Sequence, residues 1–272
     1  MSENPLGGDI SNPAKYAPEV LYPIPRRTDR SLLNFDKNLL MYGLDHWHAY
    51  ELSWLDFNGK PQVAIGEFYF DSDSENIVES KSLKLYLNSL NHEKFENQEI
   101  LQKIISNDLS AVSCSEVKVT LLTFSRREEV SSFLREGIPL DALDIKLQTY
   151  HPEPELLQIT DESVFDEMLY SDLFRSNCPV TSQPDWASFS MKYTGNKIVE
   201  GSLLAYLCSY REHQGYHEEC AERIYRDVMQ YCQPTKLKIA LNFLRRGGLD
   251  INVYRSSLPL TSDSVNARLI RQ

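Results

Sequence analysis

The sequence predicts an α+β fold built from two copies of one antiparallel module. Three observations carry this: an early hairpin signal, pairs of helical patterns rather than alternating strand–helix units, and one element order that occurs twice at near-constant spacing. His48–Leu55 (HAYELSWL) and 62–70 (QVAIGEFYF) are rich in aromatic and β-branched residues. They flank Asn58-Gly59-Lys60-Pro61, so they predict a hairpin. The polar stretch 71–76 leads to Ile77-Val78-Glu79, after which Leu83, Tyr86, Leu87 and Leu90 repeat with helical spacing from Ser80 onward. A second helix is predicted near 97–109, with Ile100, Leu101, Ile104 and Ile105 on one face. Val117–Phe124 (VKVTLLTF) closes the unit as a strand before Ser125-Arg126-Arg127.

The second half repeats this order. A strand at Trp186–Tyr193 runs to an expected turn at Thr194-Gly195-Asn196. Ile198-Val199-Glu200, a helix, a loop at Gly215, a helix from about 217 to 232 and a strand at Leu237–Leu244 follow. Ile77-Val78-Glu79 matches Ile198-Val199-Glu200 at a shift of 121, and Val117-Lys118-Val119 matches Leu237-Lys238-Ile239 at a shift of 120. The expected division is an arm at 1–30, broken by Pro5, Pro13, Pro18, Pro23 and Pro25, then modules at 31–150 and 151–272. The arm reads either as a strap on the body or as a loose tail.

Composition excludes several classes. Of 272 residues, 39 are Asp or Glu and 28 Lys or Arg, a net charge of −11 that disfavours a nucleic-acid partner. Hydrophobic residues at 42% suit a folded chain rather than a disordered one. No apolar run approaches the roughly 18 residues of a membrane span, so no membrane partner is expected. MSENPLGGDI lacks the blocks of a signal peptide, and the five cysteines form no C-x-x-C pair. The expectation is a cytoplasmic protein with reduced thiols. Dinucleotide and phosphate-loop glycine motifs are missing from the sequence.

Four segments hold candidate chemistry. In SNCPVTSQPDW, 176–186, Cys178 lies between breakers and Asp185 follows seven residues on. A loop thiol and a nearby acid suit a nucleophile and a proton donor. An unperturbed thiol is only ~3% thiolate at neutral pH, so its surroundings must activate it. The alternative is a small buried cysteine beside a turn-forming Asp. In REHQGYHEEC, 211–220, His213, His217 and Cys220 raise zinc, but Gly215 interrupts the helix and no second cysteine completes a site. Recognition or capping is preferred there and no metal is expected. Glu218 next to an imidazole suits the N–H donors of a guanine-like edge. In ESKSLKLY, 79–86, Ser80, Ser82 and Lys81 at a helix start suit phosphate, and Glu79 suits capping or a ligand. In Arg245-Arg246-Gly247-Gly248, glycines permit close approach and arginines clamp phosphate; a charged turn is the alternative.

Together, ESKSLKLYLNS at 79–89, SNCPVTSQPDW at 176–186, His217-Glu218 and RRGGLDIN at 245–252 resemble the two-module NADPH-dependent 7-cyano-7-deazaguanine reductases, nitrile reductases of queuosine tRNA modification. The resemblance covers 31–272 and includes YPIPR in the arm. It implies tandem tunnelling-fold modules, the fold shared with GTP cyclohydrolase, and a homodimer. It also implies roles. Cys178 forms a covalent thioimide with the nitrile of 7-cyano-7-deazaguanine and Asp185 donates a proton. His217, Glu218, Val78, Glu79 and Ser80 hold the substrate, and Ser80, Lys81, Arg246 and Gly247 bind NADPH. The competing readings are a metal-dependent, cyclohydrolase-like enzyme on the same fold and a noncatalytic purine- or pterin-binding module.

Overall fold

The computed structural model describes residues 13, 15–33, 35, 39–122, 135–147, 149–265, 269 and 272. Ser125-Arg126-Arg127 and the end of the strand expected at 117–124 lie outside them. The described residues fall into two compact units, one drawn from 1–29, 45–130 and 245–251, the other from 30–44, 131–244 and 252–272.

In the first unit, β1 (Pro23–Pro25) pairs with β4 (Asn76–Val78). Helix α1 (Arg26–Leu32), whose residues from Arg30 on fall in the second unit, opens on Arg26, which is buried and paired to buried Asp45 at 2.6 Å. The sheet runs β5-β3-β2, with β2 at Tyr42–Leu55, β3 at Pro61–Asp71 and β5 at Lys118–Leu122. The β2–β3 hairpin turns at Gly59, whose φ of 83° suits glycine, while Asp56 Oδ1 accepts from the Asn58 and Lys60 amides. The register Phe68↔Val119 puts Phe68, Phe70, Val119 and Leu121 on one buried face. Helices α2 (Ser80–Ser89) and α3 (Gln98–Ser113) bury Leu83, Tyr86, Leu101, Ile105 and Leu109. Tyr86 donates to Asp108 at 2.6 Å and ties the two helices together.

In the second unit, β6 (Ile138–Pro139), β7 (Ile159–Ser171), β8 (Arg175–Asn177), β9 (Pro184–Ile198), β10 (Lys236–Phe243) and the 252–256 part of β11 (Leu249–Ser256) form the sheet. The order is β11-β10-β9-β7-β6, antiparallel except for β6 on β7. Helices α4 (Glu200–Cys208) and α5 (His217–Tyr231) are joined by Tyr206 donating to Asp227 at 2.6 Å. Arg255 and Glu222, both buried, and half-buried Arg30 make a triad in which both guanidiniums lie 2.9 Å from Glu222 Oε1.

Each unit therefore has the strands and helix pair expected, and the class is α+β with antiparallel pairing dominant. Two expectations change. The turn at 194–196 is instead continuous strand: β9 runs through it because β7 pairs across, Ser163↔Asn196 and Val164↔Gly195. Gly195 is required by packing, since a Cβ there would sit 2.9 Å from Pro234 Cα. β7 and β11 were not anticipated as strands. Most β7 positions are exposed, which erases the alternation that marks a half-buried strand.

The repeat is also deeper than the sequence suggested. Pro18-Glu19-Val20 and Pro154-Glu155-Leu156 each form one short 3-10 turn. After each, one residue binds a helix start in the same way. Tyr22 N donates to Ser82 Oγ (3.0 Å) and Glu79 N to Tyr22 O (2.9 Å). Gln158 N donates to Ser202 Oγ (3.1 Å) and Val199 N to Gln158 O (2.9 Å). The described part of the arm around 17–25 is thus a strap on α2.

Candidate active site

Cys178 and Asp185 stand on one hairpin in the second unit. In β8–β9, Ser176 faces Asp185 and Asn177 faces Pro184. The loop beyond is closed by Cys178 N on Gln183 O (2.8 Å) and Ser182 N on Cys178 O (2.9 Å), with Ser182 at a φ of 56°. With side chains alternating along each strand, this ladder puts Ser176, Cys178, Gln183 and Asp185 on one face, and Asp185 is the diagonal neighbour of Cys178. Pro179 and Pro184 bracket the loop. The guanidiniums of Arg175 and Arg211 each lie over the neighbouring Trp186 ring, 5.5 and 5.7 Å from its centroid.

Asp185 is only 4% exposed. His217 Nε2 lies 3.4 Å from its Oδ2, and the imidazole stacks on Phe243 at 3.9 Å. His217 opens α5, so Glu218 sits in the first helical turn, where amide dipoles favour a carboxylate, and it is buried. A buried acid beside a helix start can receive two ligand N–H groups.

His213 and His217 do not share a helix. His213 caps a short 3-10 turn, and its Nε2 lies 2.8 Å from Glu219 Oε2. Gly215 makes this possible, since a Cβ would fall 2.1 Å from Glu219 Oε2. The potential ligand group here is His213, Glu219 and Cys220, with His217 turned to Asp185. Burial raises the Glu219 carboxyl, but the His213 hydrogen bond and the His213 and Arg223 charges outweigh it and hold the group below its ordinary value. Burial pushes the Cys220 thiol well up, and the Glu219 and Asp185 charges add to that against the Ser176 hydrogen bond and Arg223. All five cysteines are free, Cys178 half-buried, Cys220 and Cys232 buried.

The other candidates lie in the first unit. Val78 ends β4 and is buried. Glu79 is buried and caps α2, accepting from Lys81 N (3.1 Å) and Ser82 N (2.7 Å). Ser80 and Lys81 form the exposed first turn. Arg246 and Leu249 exchange backbone bonds around Gly247 and Gly248, whose φ values of 57° and 80° make the tight turn that glycine permits. The space over the turn is taken by Lys84, 3.1 Å from where a Gly247 Cβ would stand, and by Glu51 at Gly248. Arg245 lies over the Tyr50 ring at 4.7 Å. All the nucleotide-binding candidates, Ser80, Lys81, Arg246 and Gly247, thus belong to the same unit. Lys84, Ser176, Gln183 and Phe243 went unread in the sequence. Strand alternation reaches Ser176 and Gln183 once the hairpin is known; nothing local marks Phe243.

Family models match both parts of the chain. One described as nitrile reductase, 7-cyano-7-deazaguanine-reductase N-term, covers residues 12–121, and one described as QueF-like protein covers 184–259. The class is therefore nitrile reductase. The NADPH-dependent 7-cyano-7-deazaguanine reductase of Bordetella parapertussis is 44% identical over all of this chain and 99% of its own length. The enzyme of the same name from Legionella pneumophila is 45% identical over all of this chain and 95% of its own. The chain belongs to the 7-cyano-7-deazaguanine reductase family.

Proposed function

We propose that this chain reduces the nitrile of 7-cyano-7-deazaguanine to the aminomethyl group with NADPH, in queuosine synthesis. The observation that carries the reading is the β8–β9 ladder, with Cys178 and buried Asp185 on one face and His217 against the acid.

A nitrile carbon accepts hydride poorly until a soft nucleophile has added to it. The Cys178 sulfur forms a bond to that carbon as one C–N π bond breaks, and Asp185 supplies the proton taken up by nitrogen, giving a thioimide. His217 orients Asp185. Glu218 and His217 hold the deazaguanine edge, with Val78, Glu79 and Ser80 as further substrate contacts. Exclusion of water protects the thioimide from hydrolysis. NADPH, when bound, supplies hydride, and the four-electron change from nitrile to amine requires two equivalents. The residues present fit a phosphate-bearing cofactor. Lys81 and Ser80 stand at a helix start, and Arg246 flanks a Gly247-Gly248 turn that brings backbone amides close.

We also read the chain as an arm at 1–30 followed by modules at 31–150 and 151–272, acting as a cytoplasmic homodimer with no nucleic-acid partner. The family resemblance supports the dimer. Among the described residues, no helix is long and apolar enough to cross a membrane.

The test is intact-mass measurement of the full chain with 7-cyano-7-deazaguanine and no NADPH. A stoichiometric adduct is expected, and Cys178→Ala should lack it. An adduct that persists in the variant, or consumption of one NADPH per nitrile, overturns the scheme.

A further inference from the structure

Among the described residues, the first unit holds a second cluster with a different chemistry. His46 and His48 alternate on β2 and Glu67 lies on neighbouring β3. Phe68 and Phe70 fall on the apolar face of the sheet, so Glu67 projects from the opposite one. One potential ligand atom of each lies within 4.8 Å of the others. We infer that His46, His48 and Glu67 form a binding site for a first-row divalent cation, zinc above all.

The geometry suits a tetrahedral ion. His48 Nε2 lies 3.4 Å and His46 Nε2 3.6 Å from Glu67 Oε1. Both gaps exceed the usual N–H···O range of about 2.7–3.2 Å. They fall at the ligand–ligand edge of a tetrahedron with zinc bonds of about 2.0–2.2 Å, which is about 3.3–3.6 Å. The outer contacts are those that fix metal-binding imidazoles. His48 Nδ1 lies 2.6 Å from Asp250 Oδ1, which leaves Nε2 for the ion, and Tyr50 donates to Asp250 Oδ2 at 2.5 Å. The His46 ring stacks on Tyr69 at 4.2 Å with an 8° interplanar angle. Both histidines are buried on rigid strands, so the donors are aimed before the ion arrives. Two imidazoles and a carboxylate suit zinc, cobalt, nickel or iron better than calcium or magnesium. Three protein donors leave a fourth position for water or another ligand.

The competing location is His213, Glu219 and Cys220, which would supply sulfur. Titrating the full chain with Co2+ tests the proposal. One equivalent per chain is expected, with visible bands of a tetrahedral ion and no near-ultraviolet thiolate band. His48→Gln and Glu67→Gln should each weaken binding at least tenfold, and His213→Gln should not. X-ray absorption of the zinc-loaded wild-type chain needs no variant. It should show a nitrogen and oxygen shell with imidazole scattering. No binding by the wild-type chain, a thiolate band, a sulfur neighbour at about 2.3 Å, or unchanged affinity in folded His48→Gln overturns the site.

Discussion

The two units carry the same scaffold and different chemistry. Ser82 and Ser202 each return a hydroxyl to the residue three before, at 2.6 and 2.7 Å. Tyr86 and Tyr206 each donate to an Asp on the next helix, and Ser89 and Ser209 each donate to that tyrosine's carbonyl, all at 2.6 Å. The pairs hold a shift of 120 rather than the 121 read from Ile77-Val78-Glu79, so Val199 and not Glu200 stands opposite Glu79. That is the first divergence: Glu79 caps α2 with its carboxylate, and Val199 offers no side-chain cap. The second is at the start of the following helix. Asp108 and Asp227 align at 119, so Gln98-Glu99 stand where His217-Glu218 do. Glu99 is exposed and Glu218 buried. Backbone-directed hydrogen bonds survive duplication because the fold needs them twice. A buried carboxylate in the first turn of that helix occurs in the second unit and not in the first.

The largest break in symmetry should come from Cys178→Ala. Loss of the proposed nucleophile should cut turnover at least ~10⁴-fold with melting temperature held; residual nitrile reduction within tenfold of wild type would refute its role. Next is the helix–helix contact. Asp227 is buried and takes Tyr206 and Arg226, whereas Asp108 is partly exposed and takes Tyr86 and Tyr16. Asp227→Ala should therefore cost about 3–5 kcal/mol and Asp108→Ala about 1–2 kcal/mol, read by denaturant unfolding. Equal losses would mean that burial does not separate the two.

Glu218→Gln should lower kcat/KM by roughly 10- to 150-fold, the value of a hydrogen bond to a charged group. Its counterpart Glu99→Gln should leave kcat/KM unchanged, and a shared loss would place both in one structural role. Glu219 gives a pH signature. Its carboxyl is held below its ordinary value, so its contribution to stability is present above the ordinary carboxylate range and is lost as pH falls through the lowered one. The stability gap between wild type and Glu219→Gln should be widest at neutral pH and shrink in acid. A gap that widens in acid contradicts the assignment. Smallest and most symmetric are Ser82→Ala and Ser202→Ala, each about 1 kcal/mol. Losses differing by more than that would show that the straps are not equivalent.

Local signals carried much of this fold. Asn58-Gly59 marked its hairpin because a turn needing positive φ selects glycine. Apolar spacing placed α2 and α3, whose buried leucines and isoleucines recur at helical intervals. β7 gave no such signal, since Phe165 and most of its neighbours face solvent. The Cys178–Asp185 pair was readable as two groups seven residues apart, but its shared face required the Ser176↔Asp185 register. His213 and His217 have helical spacing and yet diverge, because α5 begins only at His217.

The sequence alone determined the antiparallel α+β class, the duplication and the family, since each is written in short-range periodicity or contiguous motifs. Tertiary structure decided which polar side chains meet. Glu67 reaches His46 and His48, and Asp250 reaches His48, only through strand pairing. A one-residue slip in that pairing would turn each of them to the opposite face of the sheet.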